Sequence, residues 1–225
     1  MFATPPMTRV VRNVLVALAA AVLVSILGER LFGRPVFALL ALSSRAGLHT
    51  LWQLVTHPFA VPVSGGGVIQ AILGGLFFYW MGAPLELRIG SRRFALLLGA
   101  MTVASGVAGL AIGWLLGPWS SAAVVAYGLS PILLGTLVAL ALSYPPHALL
   151  RPFGLFAVRR NALIAGFVGL AVLLDLADGR LVALFGDLSA AGVAALFMRN
   201  RQAPAYRVRP PAPSQPAQYW RGRKL

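Results

Sequence analysis

The chain has 225 residues, 59% of them hydrophobic, and a mean hydropathy of +0.82, which sets it apart from soluble globular domains. Its formal net charge is +14, from 19 basic and 5 acidic residues, and it has no cysteine. Disulfides, thiolate metal sites and cysteine nucleophiles are excluded, and where the positive charge falls decides which partners it implies.

Residues 1–9 read as a short cytoplasmic N-terminus, followed at 10–28 by the first apolar run of spanning length. The basic start at Arg9 and Arg12 also suits a signal peptide. No cleavage site of small residues follows; Gly28-Glu29-Arg30-Leu31 continues with charge, so the run is expected to remain as a span. Residues 30–64 are apolar in "FALLAL" and "AGLHTLWQLVTHPFAVPV" but interrupted by Arg34, Arg45, His49 and His57. A span there would invert everything downstream and place Arg88, Arg92 and Arg93 outside, so the stretch is expected as an outer interfacial loop with Trp52 at headgroup depth.

The second and third spans are expected at 65–82 and 94–116, and the fourth at 122–142. Gly66, Gly67, Gly74 and Gly75 on the second, with Gly99, Gly106, Gly109, Gly113 and Gly117 on the third, predict closely approaching helices; Gly109, Gly113 and Gly117 make two successive GxxxG spacings. Between these spans, Glu86 with Arg88, Arg92 and Arg93 is expected to anchor the inner helix ends through an ion pair. Spans five and six follow at 161–176 and 181–198, and the proline- and arginine-rich residues 199–225 are expected to be a disordered basic cytoplasmic tail.

With the N-terminus inside, 15 of the 19 basic residues fall in cytoplasmic segments, leaving Arg30, Arg34, Arg45 and Arg180 outside beside Glu29, Asp175, Asp178 and Asp187. This is the positive-inside pattern, and it explains the charge without nucleic acid. It predicts both termini in the cytoplasm, a bacterial-type inner (plasma) membrane, and contact with anionic lipid. The expected fold is all-α, a polytopic bundle of six transmembrane helices over residues 10–198.

Several ordered stretches resemble the rhomboid superfamily of intramembrane proteases and their inactive relatives. "LWQLVTHPF" (51–59) is similar to the family's first outer loop, with Gln53 where arginine is usual. "GAPLELRIGSRRFALL" (82–97) resembles the segment leaving the second span, and "YPPHALL" with "FAVRRNALIAGFVGLAVLLDL" the fourth-to-fifth connection. "GLSP" (128–131) stands at the serine motif of the fourth span, and "FGDLSAAG" (185–192) at the histidine motif of the sixth. The resemblance implies a six-helix bundle in which a serine and a histidine meet in a water-filled pocket open to the outside. Matched residue by residue, Gly128 and Ser130 fit, Pro131 replaces the second glycine, and Asp187 stands at the histidine position. Gln70 and Gly74 stand where the proteases hold the oxyanion with His-x-x-x-Asn.

Independently of the resemblance, Ser130 at about eight residues into the fourth span and Asp187 at about six into the sixth lie at similar depth, roughly 9–12 Å below the outer face. They are expected to meet, with Ser130 or Gln70 as the hydrogen-bond partner of Asp187. Hydrolysis needs a base that takes the serine proton and returns it to the leaving amine. Imidazole, with an ordinary pKa of about 6.5, suits this better than a carboxylate at about 3.9. An ionised carboxylate ~5 Å from an oxyanion would also cost about 3 kcal/mol at an effective dielectric of 20. His57 is a substitute base only if its loop folds over the pocket; His147 lies on the cytoplasmic side.

The resemblance, with these departures from it, implies a proteolytically inactive rhomboid-like protein that binds transmembrane segments of clients. One alternative is an active intramembrane serine endopeptidase using Ser130 with Asp187 or His57; another is a membrane assembly or transport component. No metal or other cofactor is expected, and oligomeric state and client identity are not encoded in any motif.

Overall fold

The computed structural model describes residues 6–33, 36–43, 51–63, 66–116, 125–150 and 157–199. Within them the protein is a polytopic all-α membrane protein. Five helices are long and apolar enough to cross a bilayer: α1 (Arg9–Phe32), α4 (Gly67–Ile89), α5 (Ser91–Leu116), α7 (Arg160–Ala177) and α8 (Leu181–Arg199). Between α1 and α4 lie the short helices α2 (Val36–Leu40) and α3 (Gln53–Thr56), the latter continued by a 3-10 turn at His57–Phe59. This is the expected outer stretch, although α1 runs four residues beyond the predicted end at 28 and stops where Gly33 takes a left-handed conformation (φ 59°).

The fourth span is the main departure from expectation. α6 covers only Ser130–Leu142, 13 residues. At 1.5 Å per residue it is about 20 Å long, short of the ~30 Å hydrocarbon core. The cause is local. Gly128 sits at φ 92°, and Pro131 belongs in a first turn, because a helix running upstream through it would set the ring against the carbonyl of Tyr127. Upstream, β2 (Val125–Ala126) pairs antiparallel with β1 (Leu42–Ser43), tying the entry of α6 to the outer stretch.

So short a helix has to be surrounded by protein, since lipid offers its ends no hydrogen bonds. It packs along α8, which also lies along α5, so that α8 is the central helix. From Ile132 to Ala141, α6 is buried almost throughout, and Gly135 lets it approach closely: a Cβ there would run into the Met101 sulfur and lie 3.1 Å from the Ala190 carbonyl oxygen. Near the inner end Phe78 of α4 and Phe94 of α5 stack at 6.2 Å, with Val11 of α1 beside them in the core. A second strand pair, β3 (Leu149–Leu150) with β4 (Val158–Arg159), joins α6 to α7.

The segment from 82 to 97 is almost entirely helical rather than a connection: α4 continues through Pro84, and α4 and α5 meet at the single residue Gly90 (φ 85°). Glu86 does not pair with the arginines as expected. Its carboxylate accepts the Val10 N–H (3.1 Å to both oxygens), the Val11 N–H (3.1 Å) and the Ser91 hydroxyl (2.6 Å), capping α1 from a neighbouring helix. The reason is geometric: the first N–H groups of α1 have no intrahelical acceptor, and a buried carboxylate satisfies them better than a solvated guanidinium would satisfy it. Arg88 instead lies 3.6 Å over the Tyr144 ring and donates to the Ser143 carbonyl, while Arg92 and Arg93 are exposed.

Candidate functional site

Ser130 is the first residue of α6 rather than lying about eight residues into a longer span, and Asp187 projects from α8 directly at it. The hydroxyl donates to Asp187 Oδ1 over 2.6 Å. Asp187 is 4% exposed, so this bond is made out of bulk water. Asp187 sits beside the first residue of α6 and takes its side-chain hydroxyl, whereas Glu86 at the other end of the bundle takes the backbone N–H groups that open α1.

Ser130 opens on a small cavity of about 80 Å³, enough for a few water molecules. Gln70, Ala71 and Gly74 of α4 form one wall, Gly128 to Leu133 another, and Pro58 to Pro62 cover it from the outer stretch. The sequence-derived positions Gln70, Gly74, Gly128 and Ser130 therefore converge on one space. Gly74 faces Leu129 and Leu133 at ordinary contact distance, a Cβ there lying 3.6 Å from Leu129 Cδ1. Pro131 is buried in the first turn of α6.

Two residues that the sequence reading did not place at the site belong near it. Arg180 lines the cavity and bonds Asp175 at 2.7 Å, with Asp178 at 3.6 Å. The second Asp175 oxygen is buried with no partner in the described structure. The signal was available in "DLADGR", where three charges crowd a six-residue turn. Tyr127 also lines the cavity, its ring edge-on to Phe37 at 4.9 Å.

His57 does not serve as a base for Ser130. It is 2% exposed and both ring nitrogens are committed elsewhere: Nδ1 faces the Gln53 and Leu54 carbonyls at 3.2 and 3.1 Å, and Nε2 meets the Ser105 hydroxyl at 3.1 Å. Two carbonyls at Nδ1 fix a proton there, and the one Ser105 hydroxyl proton is shared between Nε2 at 3.1 Å and the Thr102 carbonyl at 2.9 Å. Burial pushes the His57 pKa below its ordinary 6.5, only partly opposed by those two carbonyls. The loop is held down at close range, with the Gly128 N–H donating to the His57 carbonyl (3.0 Å) and a Cβ at Gly106 lying 2.9 Å from Leu54 Cδ2. Gly106 thus admits the short helix α3 of the outer stretch and the His57 ring beside it, where a spanning helix was expected.

Gly109 and Gly113 are buried on α5. Trp52 is 52% exposed, with its indole N–H donating to the Leu39 carbonyl. Gly117, Arg34, Arg45, His49 and residues 200–225 lie outside the described residues. Among the described residues no group of three or more histidine, cysteine, aspartate or glutamate side chains is arranged to hold a metal ion.

Chemically, the pair is a hydrogen-bonded hydroxyl and acid beside a small cavity. It satisfies a buried acid at the start of a helix. Among the described residues no imidazole bonds to Ser130, and an ionised acid would oppose an oxyanion formed there.

Residues 10–199 match the model of a family described as Eukaryotic integral membrane protein (DUF1751). No curated protein matches the chain. The match agrees with an integral membrane protein; a family described as eukaryotic lends no support to the bacterial-type inner membrane expected from the sequence.

Proposed function

The chain belongs to the family of eukaryotic integral membrane proteins DUF1751, and from that premise we propose that it is a rhomboid-like pseudoprotease, which binds transmembrane segments of client proteins without cleaving them. The observation that carries this reading is the 2.6 Å bond from Ser130 to Asp187, an acid at the position where the rhomboid proteases keep histidine. The hydroxyl is spent on holding a buried acid, and His57 is occupied with Ser105. Ser130 at the start of α6 and Asp187 on the last span, meeting beside a small cavity, support a scaffold of rhomboid type. The cytoplasmic location of both termini rests on the arginines gathered at one end of the helices, and the reading keeps that orientation.

The test is a purified, reconstituted protein exposed to a fluorophosphonate probe and to a panel of single-span substrates, with a photo-crosslinker at Gln70. Crosslinking of intact transmembrane segments without Ser130-dependent labelling is the expected result. Labelling or cleavage that disappears in Ser130→Ala would replace this reading by the active serine endopeptidase, which the opening of Ser130 on the cavity favours.

A further inference from the structure

A second, larger space lies between α1 and α4, next to the Ser130 cavity. It is a groove of about 600 Å³ along the seam between these helices, lined by Leu15, Leu18 and Val22 of α1 and by Ala71, Gly75 and Leu76 of α4. Its volume is in the range of small-molecule sites. Its wall is apolar, and Leu18 and Ala71 also line the Ser130 cavity, so two side chains separate the two spaces.

The groove is charged only beyond one end. There Met7 and Tyr79 line it, close to the start of α1, where Arg9 and Arg12 are exposed. Arg12, Ala19 and Leu23 stand at i, i+7 and i+11, in one row along α1, and the last two line the groove. Among the described residues neither arginine forms an ion pair; the acid nearest in the fold, Glu86, is taken up by Val10, Val11 and Ser91. A neutral slot ending at unpaired guanidinium groups has the charge pattern of one molecule, an anionic phospholipid, with a hydrocarbon tail and a negative head.

We propose that the seam between α1 and α4 is a binding site for an anionic phospholipid of the leaflet facing Arg9 and Arg12, its acyl chain in the groove and its phosphate at these arginines. An acyl chain gains little by leaving bilayer hydrocarbon for a groove equally apolar, so selection falls to the headgroup. Each arginine near the surface contributes about a fivefold preference for an anionic over a zwitterionic lipid.

The test uses the full chain in phosphatidylcholine vesicles with a trace of chain-spin-labelled phosphatidylserine or phosphatidylcholine. The expected spectrum has a motionally restricted component severalfold stronger for phosphatidylserine, reduced to the phosphatidylcholine level in the Arg9→Gln/Arg12→Gln variant. Ala19→Phe, which fills the groove from its exposed wall, is expected to remove that component at unchanged melting temperature. If Ala19→Phe does not fold, the surface arginine variant alone decides. Equal restriction of the two lipids overturns the proposal, as does a preference untouched by either variant. So does a change of oligomeric state in Ala19→Phe without a lipid preference, which would assign the seam to a second copy of the chain. No readout involves cleavage or client capture, so the outcome is independent of the proposed function.

Discussion

Ser130 and Asp187 are 57 positions apart in the chain, yet the hydroxyl of the first donates to the carboxyl of the second over 2.6 Å across the α6–α8 interface. Hydrogen bonds to charged or buried groups contribute about 1.5–3 kcal/mol in water-soluble proteins, whereas inter-helix bonds in membranes average nearer ~0.6. The predicted cost of Ser130→Ala is therefore about 1 kcal/mol, and that of Asp187→Leu somewhat more, because Asp187 also loses its place beside the start of α6. Asp187→Asn keeps an acceptor and should fall between Asp187→Leu and the unaltered protein. In a double-mutant cycle followed by unfolding in detergent, Ser130→Ala with Asp187→Leu should be less destabilising than the sum of the two. Strict additivity would mean that the bond contributes nothing.

His57 makes the outer stretch sensitive to acid. Its folded pKa lies below the ordinary 6.5, so between the two values the unfolded chain binds the proton and the folded chain does not. Stability is then at its full value above about 6.5 and declines as the pH falls below it toward the folded pKa. Melting temperatures measured from pH 8 to pH 5 should drop below pH 6.5, and the drop should flatten in His57→Gln. A profile unchanged by His57→Gln would show that other groups carry the acid sensitivity.

Glu86 is predicted to matter through its oxygens more than its charge. Glu86→Gln retains one acceptor for the N–H groups of Val10 or Val11 and should cost about 1 kcal/mol, in the range of a lost helix cap. Glu86→Leu leaves both N–H groups and the Ser91 hydroxyl without it and should cost about 2–3 kcal/mol. Amide exchange at the first turn of α1 separates the cases: Val10 and Val11 should exchange fast in Glu86→Leu and slowly in Glu86→Gln. If Arg88→Gln produced the same exchange, the expected ion pair would be the better account.

Hydrophobic run length and the placement of arginine suffice to locate five of the spans and to bring Asp187 to the depth of Ser130. They fail for α6 because a run of apolar residues does not say where a helix begins. The glycine at 128 and the proline at 131 do, through a positive φ and a missing N–H, and they cut the expected span by eight residues. The role of Glu86 was hidden for a different reason: its partners are backbone N–H groups 75 and 76 positions away, which have no signature in residue type. Arg180 and Asp175 read in the sequence only as charges on the outer side; their pairing across the turn between α7 and α8 sets Arg180 at the cavity, which charge counting does not show. Glycine spacing suggested pairing of spanning helices on α5, yet spacing alone does not distinguish a spanning neighbour from the short α3 that packs on Gly106.

Glycines in this bundle differ widely in what they permit, and two of them give a clean contrast. Gly135 faces Met101 and the Ala190 carbonyl, at 3.1 Å from an added Cβ, where neither the α8 backbone nor a sulfur buried at 0% exposure has room to retreat. Gly99, on α5, has nothing within 4 Å of such a Cβ. Overpacking of a core costs about 1–3 kcal/mol, while glycine to alanine in a helix gains up to about 1 kcal/mol where there is space. Gly135→Ala should therefore lower the melting temperature and Gly99→Ala should leave it unchanged or raise it. Because Gly135 holds α6 against α8, Gly135→Ala should also loosen the Ser130–Asp187 bond, so that adding Ser130→Ala costs less in that background than in the unaltered protein. Equal costs of Ser130→Ala in both backgrounds would show that the helix contact and the polar pair are independent.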